Sequence, residues 1–499
     1  MSGIRATSGL KVAIGFVAGA IFGAITVAQI APNAFRSAAV AEQPTPSGPA
    51  VGPTGIGPAS PGITPTGNGT AAGGPVAAPP GVQCAPGRNG GATDKGVTGT
   101  QIQMATTVVR SGIGAAFLGD VQFAMEAVRN RVNREGGICG RLLTVKYIDD
   151  GWRADLGQQY IRNFIKEGVF AIPVGPSSEG LRLAIESGDI RRAGIPVVGT
   201  DGLLISQYQD PWVWPVAVAT TSSARILARD ACGRYGKTHG GSCKAMKFAI
   251  VFDRNYRFGR EAALAFNSEV RRLTGSNIEG YDASLESCRK AFCGVLAGQS
   301  GYGTDVQQLN SAEFDYLAMY LEPQTALTWM ATPNVPTIAT RSLGAGMIGL
   351  GQPLFTRAFG EGCHEECHGM WVWTGYKPPI EDYATEAAVR AFSSELRKTK
   401  PDADVNNAFA EGGYVGMQFL VEALRQTGPY LTRARLRQTL DSMKFNSGLA
   451  LDGTLSWPAA PKRFAATTMQ AFEIQYKGNF GGWRAQVIFK DPTPELGVG

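Results

Sequence analysis

From Gly96 onward, short apolar runs alternate with longer segments of helical spacing, and this alternation limits the possible folds more than any other feature of the chain. The run "QIQMATTVV" alternates like a strand, and Phe117–Glu135 follows with apolar side chains at helical intervals (Phe123, Ala127, Val128, Val132). "RLLTVKYIDD" reads as a strand, "LGQQYIRNFIKEG" as a helix and "VFAIPVG" as a buried strand. "EGLRLAIESGDIRRAG" reads as one helix and "IPVVGT" as a further strand. A second series starts near residue 220 with helix "TTSSARILARDACGRYG". Strand "KFAIVFD", helix "GREAALAFNSEVRRLTG" and strand "IEGYDA" follow, then helix "GTDVQQLNSAEF", strand "DYLAMYL", helix "PQTALTWMATP" and strand "PTIATR". Short connections between strands and helices predict an α/β fold with parallel sheets and helices on both faces. Ligands of such sheets sit at the carboxyl ends of the strands. Two similar series in tandem predict two lobes. The later pieces, helices "YATEAAVRAFSSELRKT", "AFAEGGYVGMQFLVEALRQTG" and "TRARLRQTLDSM" and strands "MQAFEIQYKG" and "WRAQVIF", leave too little for a third core and are shared between them.

The front of the chain obeys other rules. Residues 1–91 hold only five charged side chains (Arg5, Lys11, Arg36, Glu42, Arg88). Arg5 and Lys11 precede an apolar or small-residue run from Val12 to Ala31, and residues 1–41 read as either a cleaved signal peptide or a retained anchor. The run is about the 20 residues a spanning helix needs. Gly15, Gly19 and Gly23 share one helix face on which a second helix can approach closely. Ala28 or Ala41 would end a cleaved signal. Both readings keep the basic flank inside and deliver the body outside the cytoplasm, to the periplasm or cell surface. Residues 42–94 form a Pro/Gly-rich linker, uncharged from Gln43 to Gln83, with too little apolar mass to offset the entropy of ordering. Its proline content favours extended stretches of about 3.1 Å per residue.

Eight cysteines in an exported chain point to disulfides. About a hundred pairings are open in principle; proximity favours Cys232–Cys243, Cys288–Cys293 and Cys363–Cys367, which leaves Cys84 with Cys139. The string "CHEECH" offers Cys363, His364, Cys367 and His368 as an alternative zinc set. On a helix the two Cys and the two His lie on faces about 100° apart, so the disulfide with exposed His neighbours is the favoured reading and no metal is expected.

Function classes fall away quickly. A net charge of +6 over 499 residues, without a Lys/Arg block, argues against nucleic acid as a partner. Three His, and no nucleophile elbow, zincin motif or phosphate loop, argue against an enzyme, and no cofactor is expected.

Over residues 95–490 the body resembles the type 1 periplasmic solute-binding proteins, in particular the branched-chain amino-acid-binding group of ABC importers. The matching stretches are "QIQMATTVVRSGIGAAFLGD", "NREGGICGRLLTVKYIDD", "QYIRNFIKEGVFAIPVGPSS", "AGIPVVGTD" and "FAIVFDRNYRFGREAA", with "ALRQTG" and "LDGTLSW" further on. The resemblance implies two Rossmann-like lobes joined at a hinge by three crossovers. Lobe 1 would comprise 95–218 and 374–445, and lobe 2 would comprise 219–373 and 446–490.

The resemblance also implies where a solute sits. Ser177 and Ser178 match the first loop that holds a ligand carboxylate, and Thr200 and Asp201 fall on the second. Ser178 also suits plain helix capping. Phe117 and Leu118 occupy the place of an apolar wall, Tyr256 and Phe258 stand near the ligand-stacking aromatic, and Glu322 is placed to face the cleft after its strand. One departure changes the expected chemistry. Where amino-acid binders carry an acid for the ligand ammonium, this chain has Arg341 and Ser342, and an arginine there attracts an anion. The expected function is a non-enzymatic receptor that closes on a small polar solute (amino acid, amide or small carboxylate) and presents it to a membrane permease. The alternative is a membrane-tethered sensor or cell-surface interaction protein on the same fold.

Overall fold

The computed structural model describes residues 78–336, 345–348, 368–476, 478 and 480–495. Its first part runs β1 (Gln101–Val108), α1 (Ala115–Arg134), β2 (Leu142–Asp149), α2 (Ala154–Glu167), β3 (Ile172–Pro173), α3 (Ser178–Glu186), α4 (Asp189–Ala193), β4 (Val197–Thr200), α5 (Ile205–Gln209) and β5 (Val213–Pro215). The second part runs α6 (Thr220–Thr238), β6 (Phe248–Asp253), α7 (Arg257–Thr274), β7 (Cys288–Arg289), β8 (Phe292–Val295), α8 (Gly303–Asn310), β9 (Tyr316–Tyr320), α9 (Pro323–Met330), β10 (Ala345–Ile348) and β11 (Trp371–Thr374). Helices α10 (Ala387–Thr399), α11 (Ala408–Thr427) and α12 (Arg433–Ser442) follow. Four strands close the chain: β12 (Lys444–Phe445), β13 (Leu455–Ser456), β14 (Thr468–Tyr476) and β15 (Phe480–Lys490).

Two sheet regions result. In the first, β1 and β2 pair in parallel from Gln101↔Leu142 to Val108↔Asp149, and β3, β4 and β5 pair in parallel beside them. The Phe170 N–H donates to Gln103 O at 2.7 Å and joins the two sets. The second is an eight-stranded sheet in the order β15-β14-β11-β10-β9-β6-β8-β7. It is parallel from β11 to β8 and antiparallel at both edges, so the expectation of purely parallel sheets is corrected to a mixed one. The edges are hairpins, whose short connections leave no room for a crossover helix. The chain passes between the regions beside Val218, beside Tyr376 and between β13 and β14. Isolated bridges Val218↔Ala466 and Tyr376↔Ala450 pin those passages together.

Local sequence explains most elements. α1 buries Phe117, Leu118, Val121, Ala124, Met125, Val128 and Val132, a stripe three to four residues apart. It stops where Gly136 and Gly137 take φ of 95° and 75°, and a Cβ on Gly137 would lie 2.0 Å from Arg141 O. Each residue of β6 is buried, as befits a central parallel strand. α11 is buried nearly all round because it packs on α1 and β4 at once.

Three segments depart from their sequence reading. "EGLRLAIESGDIRRAG" forms two helices, because Gly188 at φ 75° breaks it between α3 and α4. "IEGYDA" is not a strand; the edge beside β6 is the hairpin β7–β8, which sequence reading missed along with β5 and α5. "VFAIPVG" pairs only at Ile172–Pro173, since Val174 and Gly175 turn to positive φ. The segment after Pro336 read as strand "PTIATR" lies outside the described residues, as do Arg341, Cys363, His364, Cys367 and the apolar run Val12–Ala31.

Disulfides join Cys84 to Cys139, Cys232 to Cys243 and Cys288 to Cys293. The first fastens residues 84–99 to the body at a point reinforced by Arg141. That guanidinium, fully buried, donates to the carbonyls of Asn89, Gly91, Thr98 and Pro429. Among the described residues no helix is long and apolar enough to cross a membrane.

Candidate functional site

Two adjoining cavities open between the sheet regions. One, of about 100 Å³, is walled by Leu118, Val121, Val174, Asp201, Trp373 and Tyr376 among others; the second, of about 70 Å³, is walled by Phe117, Trp152, Phe258, Tyr320 and Glu322. Leu203, Val218, Phe409 and Met469 belong to both, so the two form one cleft. Trp152 follows β2, Asp201 follows β4, Glu322 follows β9 and Thr374 ends β11. The cleft therefore sits at the carboxyl ends of strands from both regions.

Aromatic rings close one side of it. Trp152 stacks on Tyr256 with centroids 4.5 Å apart and meets Phe117 edge-on at 5.3 Å; Phe117 in turn meets Phe409 at 5.4 Å, and Phe258 lies 6.1 Å from Tyr256. Trp152 holds φ at 60°, a conformation that bulky side chains avoid. Asp150 helps keep it there, accepting from the Trp152 N–H at 2.9 Å. Strained backbone of this kind clusters at ligand clamps.

Polar groups are few and heavily buried. Asp201 Oδ1 accepts from Gln207 Nε2 (2.8 Å) and Leu203 N (3.2 Å), while Oδ2 is sealed with no partner among the described residues. Burial, with the charge of Glu179 adding to it, pushes the Asp201 carboxyl up to about 6 despite those two donors. Burial also lifts Asp150 to about 6, partly offset by the hydroxyl of Ser177 and the Trp152 N–H. Asp253 at the end of β6 is held well above the usual carboxylate range by burial and then by the charge of Glu322. Burial raises Tyr256 to about 12.

The expected residues divide into three groups. Phe117, Leu118, Asp201, Phe258 and Glu322 line the cleft, and Tyr256 stacks at its edge. The Glu322 carboxylate is already used, capping α9 by accepting from Gln324 N (2.8 Å) and Thr325 N. Ser177, Ser178 and Thr200 are buried behind the wall: Ser177 stands at the N-cap of α3 without a capping bond from its side chain, Ser178 is the first helical residue, and Thr200 Oγ1 lacks a partner among the described residues. Arg341 lies outside the described residues. Sequence reading missed Trp152, Tyr376 and Phe409. A signal was present for the last. Gly412 and Gly413 interrupt a strong helical pattern, and mid-helix glycines mark close approach of a neighbour; a Cβ on Gly413 would lie 2.7 Å from the Val121 side chain.

Two hydrogen bonds tie the regions together near the cleft-lining Leu203 and Phe258. The Arg257 N–H, first in α7, donates to Glu179 Oε1 on α3 at 2.7 Å, and the Ile205 N–H donates to Glu261 Oε2 on α7 at 2.9 Å.

A mixed and a parallel sheet region sharing an apolar cleft at their strand ends define an α/β ligand-binding protein. The chain belongs to the periplasmic binding protein family, whose model matches residues 101–479. Solved structures agree on the fold. A fatty acid ABC transporter substrate-binding protein from Thermomonospora curvata has a TM-score of 0.63 at 16% identity, covering 81% of this chain and 95% of that one. A branched chain amino acid ABC transporter protein from Thermus thermophilus with bound valine has a TM-score of 0.62 at 14% identity, over 78% and 97%. A solute binding protein from R. palustris in complex with 4-hydroxybenzoate has a TM-score of 0.61 at 15% identity, over 79% and 98%. No curated protein sequence matches the chain significantly. Members of this family are solute-binding receptors that work outside the cytoplasm.

Proposed function

We propose that the chain is the extracytoplasmic solute-binding receptor of an ABC-type importer, with lobe 1 at 95–218 and 374–445 and lobe 2 at 219–373 and 446–490. The lobes close on a small solute, and the closed pair is the surface a membrane permease reads. The observation that carries this reading is the shared cleft, walled from both sheet regions, with the Glu179 and Glu261 contacts joining the two regions beside it. Ligand that touches both lobes selects the closed arrangement.

The lining narrows the expected solute. Leu118, Val121, Val218, Trp373, Phe409 and Met469 offer hydrocarbon and aromatic surface, which suits an amino acid or small carboxylate with an apolar body. The fatty acid, valine and hydroxybenzoate named for the similar structures fit such a lining. Phe117, Leu118, Phe258 and Phe409 pack the body, and Trp152 with Tyr256 closes over it.

A thermal-shift screen of the full chain against apolar amines, medium-chain and aromatic carboxylates, and branched-chain amino acids tests the reading. A bound solute raises the melting temperature by mass action, and Phe117→Ala with Phe409→Ala removes that rise. A solute whose rise survives both changes binds elsewhere and removes the cleft from consideration.

A further inference from the structure

We infer that Trp152 is a gate held between the two sheet regions, which slows release of the solute and limits its size; this rests on the reading of the cleft as the solute site. The indole belongs to the first region, in the turn between β2 and α2, and lines the second cavity beside Phe117 and Phe258. It stacks on Tyr256, which precedes α7 in the other region, with centroids 4.5 Å apart and planes within 23°. Trp152 is buried and lines the cleft, whereas Tyr256 is partly buried and lines neither cavity. A solute therefore meets the indole, and the phenol backs it. Because the two rings come from opposite regions, the stack lasts only while the regions are together.

The indole is placed under load. Its backbone sits at φ 60°, fixed by Asp150, whose side chain accepts the Trp152 N–H at 2.9 Å and whose carbonyl accepts the Arg153 N–H at 3.0 Å. A Cβ on Gly114 would lie 3.3 Å from the indole Cε3, so the ring is packed against the backbone that leads into α1. The indole Nε1 is sealed and has no hydrogen-bond partner among the described residues. A buried donor without an acceptor is costly, and water relieves that cost once the ring is exposed. Stacking on Tyr256 and the edge contact with Phe117 hold the ring in, while the unmet donor favours its release. That balance lets the ring yield when the regions part. With the ring in place the second cavity keeps only about 70 Å³, and the indole occupies the space into which a longer solute would extend.

Isothermal titration of the full chain with two graded series tests the assignment: straight-chain carboxylates from butyrate to dodecanoate, and alanine, valine, leucine, phenylalanine and tryptophan. The natural chain should bind one series up to a size limit and reject the larger members. Trp152→Ala should move that limit outward and bind the first rejected member about tenfold more tightly, while Trp152→Phe keeps the limit near its original place. Tyr256→Ala leaves the indole in the lining and removes its backing, so stopped-flow release of a bound member should be about fivefold faster with the limit unchanged. A limit that does not move in Trp152→Ala, or the lack of any limit in the natural chain, overturns the gate and leaves the receptor reading standing. An equal loss of affinity across the series in Trp152→Ala does the same, because it marks a purely structural role. Should Trp152→Ala fail to fold, an unchanged release rate in Tyr256→Ala overturns the gate. Absence of binding by every member of both series overturns the gate and the receptor reading together.

Discussion

Glu179 Oε1 accepts a hydrogen bond at 2.7 Å from the backbone N–H of Arg257, and so joins α3 in one sheet region to the start of α7 in the other. The pairing is reciprocal, because α7 returns Glu261 to the backbone N–H of Ile205. Each glutamate keeps its second oxygen on a nearby arginine, Arg182 Nε at 2.9 Å for Glu179 and Arg257 Nε at 3.0 Å for Glu261. Both bonds exist only while the regions are together.

Glu179→Ala should therefore loosen the contact between the two sheet regions without damaging either. A hydrogen bond to a charged group is worth about 1.5–3 kcal/mol. The expected effect on solute affinity is a loss of about tenfold, carried by faster dissociation. Stopped-flow release measurements check it. An unchanged dissociation rate would show that the bond plays no part in holding the lobes.

Asp201 should leave a mark on the pH dependence of stability. Its carboxyl is raised from 3.8 to about 6, so the folded chain keeps this proton after the unfolded chain has lost it. Between about pH 4 and 6 the folded state binds more protons, and stability falls as pH rises. Below pH 4 the penalty is absent, and above 6 it is complete, at most about 3 kcal/mol. Asp201→Asn keeps an oxygen for Leu203 and Gln207 and removes the charge. The gap in urea midpoint between pH 4 and pH 7.5 should then shrink, with Asp150 still contributing its own share. An unaltered gap would contradict the buried placement of this carboxylate.

Gly416 and Gly199 touch backbone to backbone where α11 crosses β4. A Cβ on Gly416 would lie 2.3 Å from Gly199 O, and one on Gly199 would lie 2.4 Å from Gly416 Cα. Neither side can yield without moving a helix or a strand, so Gly416→Ala should cost about 3 kcal/mol in denaturant unfolding. Gly233, inside α6 with nothing within 4 Å of its notional Cβ, is the control: Gly233→Ala should be stabilising by up to about 1 kcal/mol.

Arg141 holds residues 89–99 and Pro429 by carbonyls alone. Arg141→Lys replaces a planar fork of five donors with a compact ammonium that cannot reach four separated oxygens. A loss of about 2–3 kcal/mol is expected, with faster proteolysis near Asn89. Retained protease resistance would mean that the Cys84–Cys139 bridge fastens this segment unaided.

How much could be read in advance varied with the range of the interaction. The order of strands and helices was legible because periodicity of apolar side chains is local, and β1, α1, β6 and α7 fall where the pattern put them. The hairpin β7–β8 was not, since its pairing depends on the edge of β6 lying open beside it. At the site, Phe117, Leu118, Asp201 and Phe258 were legible by resemblance. The use of Glu322 as a helix cap was not, because a capping acid and a ligand-facing acid look alike in one dimension.

The sequence by itself determined that the body is an α/β protein with a cleft expected at strand ends, because repeating local patterns allow few other arrangements. Only the tertiary structure decided the character of that surface. Asp201 follows β4, Tyr376 lies in a crossover and Phe409 opens α11, and nothing local to any of them foretells that they share a cavity. Packing of α11 against β4 and α1 brings these distant stretches of chain to one wall.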